Sequence, residues 1–279
     1  MNNSSTHIIP DSFDGKRLDN ALSLVLPDSG LRLRRRYCDE GLVQVNGRDR
    51  KPGYKVQSGQ EIRVEFPESQ HSLPEVEIVS QSDTVAALFK PAKVHSALIV
   101  GKDTPNVESA LMDLFPDHSP VLLNRLDYLT SGLLLVGLNR GGCDTYHAME
   151  SDGTIRKFYL ALVEGRFDGT ATVKCELDVD NRKVTRILET DTSDERRWTE
   201  VHALGHDRER NITLVRCMIT KGARHQIRAH LSSIDHPIVG DPVYGNGSSD
   251  EILHLHHYKV EMDDFTARIG VGWADDFAK

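Results

Sequence analysis

The chain has no long apolar run. None approaches the ~18 consecutive apolar residues that a membrane helix needs, and the first residues, MNNSSTHIIPDSFDGK, contain no apolar core of signal-peptide length. A cytoplasmic protein with no membrane association is therefore expected. Cysteine is scarce: Cys38, Cys143, Cys175 and Cys217 lie far apart with no C-x-x-C spacing. That pattern suits reduced thiols and argues against a zinc site or a disulfide framework. There is no G-x-G-x-x-G fingerprint and no P-loop. Histidines are more numerous, with His254, His256 and His257 in one strand-like run. No carboxylate or cysteine stands at a recognisable ligand spacing from them, so they are read as packing or edge histidines, and no metal is expected.

At 279 residues, with 38% hydrophobic and 27% charged residues, the chain can bury a sizeable core as one large domain or two unequal ones. The net charge of −8 argues mildly against a nucleic-acid partner, because phosphate binding draws on lysine and arginine. The charges are unevenly spread, however. Arg32, Arg34, Arg35, Arg36, Arg48, Arg50, Lys51 and Lys55 crowd the first quarter, whereas Glu261, Asp263, Asp264, Asp275 and Asp276 mark the end. A local basic face is what RNA binding requires.

Residues 1–10 read as a frayed polar tail, and residues 11–66 as a compact unit. In that unit Leu18, Ala21, Leu22 and Val25 recur at helical spacing until Pro27 and Gly30, and a second helix carries Arg32–Arg36. VQVNG then leads into a hairpin turn, and QEIRVEF alternates as a half-buried strand. Residues 67–75, PESQHSLPE, read as a linker, and 76–279 as the main domain. That domain opens with strands in EVEIV and TVAALF. Next comes a helix capped by Thr104, with Pro105 in its first turn, whose apolar stripe of Val107, Ala110, Leu111, Leu114 and Phe115 faces the core. IRKFYLALVEG alternates with period two, placing Lys157, Tyr159 and Ala161 opposite Phe158, Leu160 and Leu162. Residues 165–197 suggest only hairpins and a surface loop around Asp191–Arg197. ITLVRCMI reads as a strand and Ala223–Ile234 as a helix that buries Ile227, Leu231 and Ile234, with Arg224 and Arg228 sharing another face.

The most informative stretch is VLLNRLDYLTSGLLLVGLN, from Val121 to Asn139. Two apolar runs, Val121–Leu123 and Leu133–Leu138, read as buried strands around a polar turn that holds Arg125, Asp127, Thr130, Ser131 and Gly132. A carboxylate on a loop between core strands is rigidly placed and poorly solvated, which suits a catalytic acid. The plainer reading is an exposed ion pair on an ordinary turn.

The segment resembles the H-R-L-D-x-x-T-S-G-L-L-L signature of the RluA-type pseudouridine synthases, with Asn124 where the family has histidine. Lys90 and Pro91 resemble that family's K-P-x-G, with Lys93 in place of glycine. KFYLALVEG is similar to K-x-Y-x-A-x-V-x-G. KGARHQIRAH, then HPIVGDPVYG, resemble its G-R-T-H-Q-I-R-V-H and H-P-I-x-G-D-x-x-Y-G, with Ala223 and Arg224 departing. Residues 11–66 resemble the alpha-L RNA-binding motif.

The resemblance implies an α+β catalytic domain on a mixed, largely antiparallel sheet, preceded by a small α+β RNA-binding domain. It also implies isomerisation of uridine in RNA to pseudouridine. Asp127 would attack covalently or remove a ribose proton, Tyr159 would stack on the extruded base, and Arg228 would pair with Asp127. Arg125 near it would also oppose the neutralisation that burial favours. Arg125, Thr130, Ser131, Gly132, His225 and Gln226 would bind substrate, and Arg32, Arg34, Arg35, Arg36, Arg48, Arg50 and Lys51 would bind RNA. Gly240, Asp241, Pro242 and Gly245 read as a tight turn. No cofactor or metal is implied; the expected partner is RNA, ribosomal ahead of transfer, and a monomer is expected. Two other classes fit the same residues: an inactive RNA-binding protein of this fold, suggested by Asn124, Lys93 and Ala223, and a carboxylate hydrolase, which would need a second acid.

Overall fold

The computed structural model describes residues 3–27, 31–66, 76–99, 104–180, 184–248 and 250–277. The described residues fall into two compact units, those of Met1–Ser72 with Ile99–Thr104 and those of Leu73–Leu98 with Pro105–Lys279.

The first unit contains β1 (Asn3–Ile8), α1 (Leu18–Ala21), α2 (Leu31–Asp39), β2 (Val43–Val45), β3 (Arg48–Asp49) and β4 (Glu61–Phe66). Its four strands form one sheet in the order β1-β4-β2-β3. The tail expected at residues 1–10 is instead an edge strand: Asn3–Ile8 runs antiparallel to β4 in unbroken register, and Ile9 behind it is buried. Its polar sequence hides it because the backbone ladder holds the strand while Ile9 supplies the core contact. Leu18, Ala21, Leu22, Cys38, Val43, Val45, Val56, Ile62 and Val64 complete this core. Gly30 and the linker 67–75 lie outside the described residues.

The second unit contains β5 (Glu77–Gln81), β6 (Val85–Lys90), α3 (Leu111–Leu114), β7 (Val121–Leu122), β8 (Ser131–Gly137), α4 (Arg140–Asp152), β9 (Arg156–Glu164), β10 (Thr170–Val173), β11 (Cys175–Asp178) and β12 (Arg186–Asp191). It continues with β13 (Thr199–Asp207), β14 (Ile212–Ile219), α5 (Gln226–Ser233), β15 (Leu255–Met262), β16 (Phe265–Arg268) and α6 (Gly272–Asp275). The large sheet runs β10-β13-β14-β9-β15-β8-β6-β5, with β16 on β15 and β7 on β8. All its pairs are antiparallel except β15 with β8, so the sheet is mixed and largely antiparallel.

β8 lies inside this sheet and is apolar on both faces. Leu134 and Val136 enter the larger core with Tyr159, Ala161, Ile227 and Leu231. Leu133 and Leu135 enter a second core with Tyr146 and Met149 of α4. A strand covered on both sides reads as a continuous apolar run, which is why GLLLVG has no alternation. Two expectations change locally. The helix after Pro105 is capped by Asn106, whose side chain accepts from Ser109 N at 2.9 Å, rather than by Thr104. α5 begins at Gln226 because His225 takes φ +56°. Arg224 therefore falls outside the helix and donates to Val179 O at 2.9 Å, so it shares no face with Arg228. Among the described residues no helix is long and apolar enough to cross a membrane.

Candidate active site

Asp127 sits in the turn between β7 and β8, and buried polar groups fix that turn. Ser96 Oγ donates to Leu126 O and accepts from Leu126 N, each at 2.9 Å. Lys93 N donates to Tyr128 O at 2.7 Å, and Thr130 N to Asp127 O at 3.1 Å. The backbone on both sides of the carboxylate is thereby held. Lys93 has φ +63°, the left-handed region that favours glycine. Lysine here keeps the conformation that the K-P-x-G pattern calls for, at a cost of about 1 kcal/mol. Lys90 supports the same loop from inside: its buried ammonium donates to Pro91 O at 2.9 Å and to Val94 O at 2.8 Å. Burial pushes Lys90 down to about 7, against the pull of the Asp127 charge.

The side chain of Asp127 is 24% exposed and receives two nitrogens at one oxygen. Arg228 Nη1 donates to Oδ2 at 3.3 Å, and His225 Nε2 lies 3.9 Å from the same atom. Among the described residues Oδ1 has no partner and is free to meet a substrate. Arg228 is itself anchored by Asp241, with Nε to Oδ2 at 2.7 Å and Nη2 to Oδ1 at 2.8 Å, a two-point pair that fixes the guanidinium plane. Burial works against both charges. For Asp241 the Arg228 hydrogen bonds and charge, with the amides of Val243 and Tyr244, outweigh it and leave the carboxyl below its usual range. For Arg228, Asp241 and then Asp127 outweigh burial. His225 is pulled down by burial; Asp127 opposes this and Arg228 and Arg224 add to it, so the imidazole is neutral at neutral pH. Its Nδ1 meets the Tyr244 hydroxyl at 3.0 Å.

Tyr159, on β9, is buried. Burial pushes its phenol up, and the charge of Asp127 pushes it further. Among the described residues its hydroxyl has no hydrogen-bond partner. One face of the ring is stacked on His257, with centroids 4.5 Å apart and planes 17° apart. His257 is fixed in turn by a contact of its Nδ1 with Leu133 O at 2.6 Å. A fixed cation beside a carboxylate with one free oxygen, near a rigidly backed aromatic ring, can orient a flat base and attack or deprotonate the group bonded to it.

A family model described as RNA pseudouridylate synthase matches residues 84–233, and an S4 domain model matches residues 16–62. The chain belongs to the RNA pseudouridylate synthase family. Its relatives include ribosomal large subunit pseudouridine synthase C of Pasteurella multocida, 33% identical over 89% of this chain and 83% of that protein. Ribosomal large subunit pseudouridine synthase D of Neisseria meningitidis is 30% identical over 85% of this chain and 66% of that protein, so the chain spans slightly under two thirds of that relative. The solved structure of human RNA pseudouridylate synthase domain containing 1 has a TM-score of 0.58 over 72% of this chain and 84% of its own, at 22% identity, a likeness of fold.

In this family fold, Asp127, Arg228, His225 and Tyr159 come together. Of the other residues expected to bind substrate, Ser131 and Gln226 have side-chain partners within the protein, whereas the buried Thr130 hydroxyl has none among the described residues. Thr130 is buried in the turn, and Ser131 Oγ meets His256 Nδ1 at 2.8 Å. Gly132, at φ +117°, lies so close to the His257 backbone across the parallel β8–β15 pair that any Cβ would collide with it. Buried Gln226 donates to Arg197 O at 2.9 Å and accepts from Ala223 N at 2.9 Å, fixing the start of α5. Arg125 is exposed, and among the described residues it makes no ion pair with Asp127. Asn124, which replaces the family histidine, accepts from Leu135 N at 2.7 Å and so has a structural role.

In the S4 segment, Arg35 is tied to buried Asp19 at 2.8 Å and Arg36 to Glu40 at 2.6 Å, so neither is a free cation. Arg34 is half-buried, Arg50 lies over the Tyr54 ring at 4.6 Å, and Arg48 and Lys51 are exposed. The side chain of Arg32 lies outside the described residues.

Sequence reasoning passed over Asp241, Tyr244, Ser96 and His257. The first two lie in GDPVYG, whose glycines and proline signal only a turn, and His257 was read correctly as packing but without its stacking partner. Burial pushes His257 down to about 3 and His256 to about 4, so both are neutral in the folded chain. The unfolded chain takes up a proton at each below its ordinary value of 6.5. Folding stability is therefore intact above pH 6.5 and is lost as pH falls through that window, by at most about 1.4 kcal/mol per unit for each histidine. In His257→Phe, which keeps an aromatic face against Tyr159, urea unfolding should show an acid slope shallower by about that amount. An unchanged slope would show that His257 does not titrate on unfolding.

Proposed function

We propose that this protein isomerises uridine in RNA to pseudouridine, with Asp127 as nucleophile or base, Arg228 as its positioning cation and Tyr159 as the surface on which the extruded base lies. The observation that carries this reading is the Asp241–Arg228–Asp127 chain of contacts beside Tyr159. In the reaction the bond from uracil N1 to ribose C1′ breaks, the base turns, and a bond from C5 to C1′ forms while C5 loses a proton to N1. No net oxidation or hydrolysis occurs. Extruding the target costs a few kcal/mol, offset by contacts in the pocket. The names of the bacterial relatives support ribosomal RNA of the large subunit as the substrate class, and with it a cytoplasmic setting.

The neutral His225 beside Oδ2 supplies a group that can hold or pass a proton without adding a second permanent charge. The hydrolase reading lacks support, because the carboxylate next to Asp127 in this network, Asp241, is fully paired and buried. Asp127→Asn is nearly isosteric and should abolish pseudouridine formation in ribosomal RNA, scored by carbodiimide adducts, while thermal unfolding and RNA affinity stay near wild type. Wild-type turnover in that variant would remove Asp127 from the mechanism, and release of free uracil by the wild-type protein would favour a hydrolase.

The first unit is the proposed RNA anchor, through phosphate contacts that position without reading bases. With Arg35 and Arg36 engaged internally, Arg48, Arg50 and Lys51 are the cations best placed to meet phosphate. Replacing those three with alanine should flatten the dependence of log K on log salt by roughly two units, since each phosphate contributes about −0.7 to −0.9. An unchanged slope would show that this face does not meet RNA.

A further inference from the structure

Tyr128 follows Asp127 directly in the chain, and the residue is 44% exposed. Setting aside Phe66, whose side chain lies outside the described residues, it is the one phenylalanine, tyrosine or tryptophan that is exposed among the described residues; the rest are buried or half-buried. An aromatic face left in water is unfavourable unless something covers it. The ring is nonetheless held in place. It lies against the imidazole of His95, with centroids 4.5 Å apart and planes 32° apart. Its own carbonyl is bound by Lys93 N at 2.7 Å, so the loop that carries His95 and the turn that carries Tyr128 are tied together. Among the described residues the phenol has no hydrogen-bond partner. Neither polar bonding nor core packing accounts for a tyrosine at this position.

We propose that Tyr128, backed by His95, is a stacking shelf for the nucleobase adjacent to the target uridine in the substrate RNA. The proposal rests on the reading of Asp127 as the group that acts on that uridine. A uridine whose base lies against Tyr159 with its C1′ at Asp127 is joined through phosphates to a neighbour on each side. Adjacent Cα atoms are about 3.8 Å apart along a protein chain, so Tyr128 lies within reach of a nucleotide that neighbours one held at Asp127. Extrusion of the target breaks its stacking with both neighbours. A ring already clamped on one face can replace one of those contacts with little loss of side-chain freedom. Stacking on an aromatic ring accepts any base, so the shelf fixes the strand beside the target without dictating its sequence.

The test is a binding cycle with the full-length protein and short single-stranded RNAs containing one uridine. One RNA is intact, one lacks the base on the 5′ side of the uridine, and one lacks it on the 3′ side. Wild type should bind the intact RNA roughly 5- to 150-fold tighter than one of the two abasic RNAs. Tyr128→Ala should bind the intact RNA and that abasic RNA equally, both as weakly as wild type binds the abasic one, and Tyr128→Phe should restore the difference. Equal affinity of Tyr128→Ala and wild type for the intact RNA would overturn the proposal. So would a loss in Tyr128→Ala of the same size on all three RNAs, which would assign the ring to packing on His95. Failure of the underlying reading is separately visible: wild-type protein that forms no pseudouridine in ribosomal RNA refutes the reaction, while the binding cycle still decides the shelf.

Discussion

The site depends on one buried guanidinium. Arg228 is held at two points by Asp241 and reaches Asp127 with its remaining nitrogen, so a single planar cation transmits the rigidity of α5 and the turn after it to a carboxylate on a different loop. Removing either partner of such a pair is costly, because a buried charge is left without compensation. The arrangement is therefore both a structural tie and an electrostatic one. It places positive charge beside Oδ2 of Asp127 and leaves Oδ1 open.

Around this tie, the loop bearing Asp127 is held by groups that need not touch a substrate. Ser96 bonds both polar atoms of the Leu126 backbone, Lys93 bonds the Tyr128 carbonyl from a left-handed conformation, and Lys90 satisfies two carbonyls of its own loop. Beneath the site, His257 supports the ring of Tyr159 and is itself fixed to β8. Each is buried or tied to backbone, so the Asp127 carboxylate and the Tyr159 ring are preorganised by packing and hydrogen bonds.

Much of this was legible in the sequence, and what was missed has physical causes. The strand–turn–strand around Asp127 follows from two apolar runs, and the core stripe of α5 from the spacing of Ile227, Leu231 and Ile234. The role of Arg228 came from resemblance to the family signature, and the geometry gives it a contact. Asp241 was hidden because its partner lies on the helix of a different motif, and the pairing depends on where α5 starts. That start is set by the left-handed turn at His225, which periodicity does not report. Ser96 was hidden for a similar reason, since its partner is thirty residues away in sequence. β1 escaped notice because a polar edge strand is held by its ladder, and α4 because Gly141 and Gly142 obscure a helix whose first turn packs against Thr84.

The most direct test of this account is the effect of Asp241→Asn on pseudouridine formation in ribosomal RNA. The substitution preserves the shape of a fully buried side chain, but it removes the charge that anchors Arg228. Turnover at saturating RNA should fall by at least about tenfold, a loss of about 1.4 kcal/mol of transition-state stabilisation, while RNA affinity stays near wild type in a protein that still unfolds cooperatively. A folded Asp241→Asn protein with wild-type turnover would contradict the claim that Asp127 owes its placement to Arg228 held by Asp241.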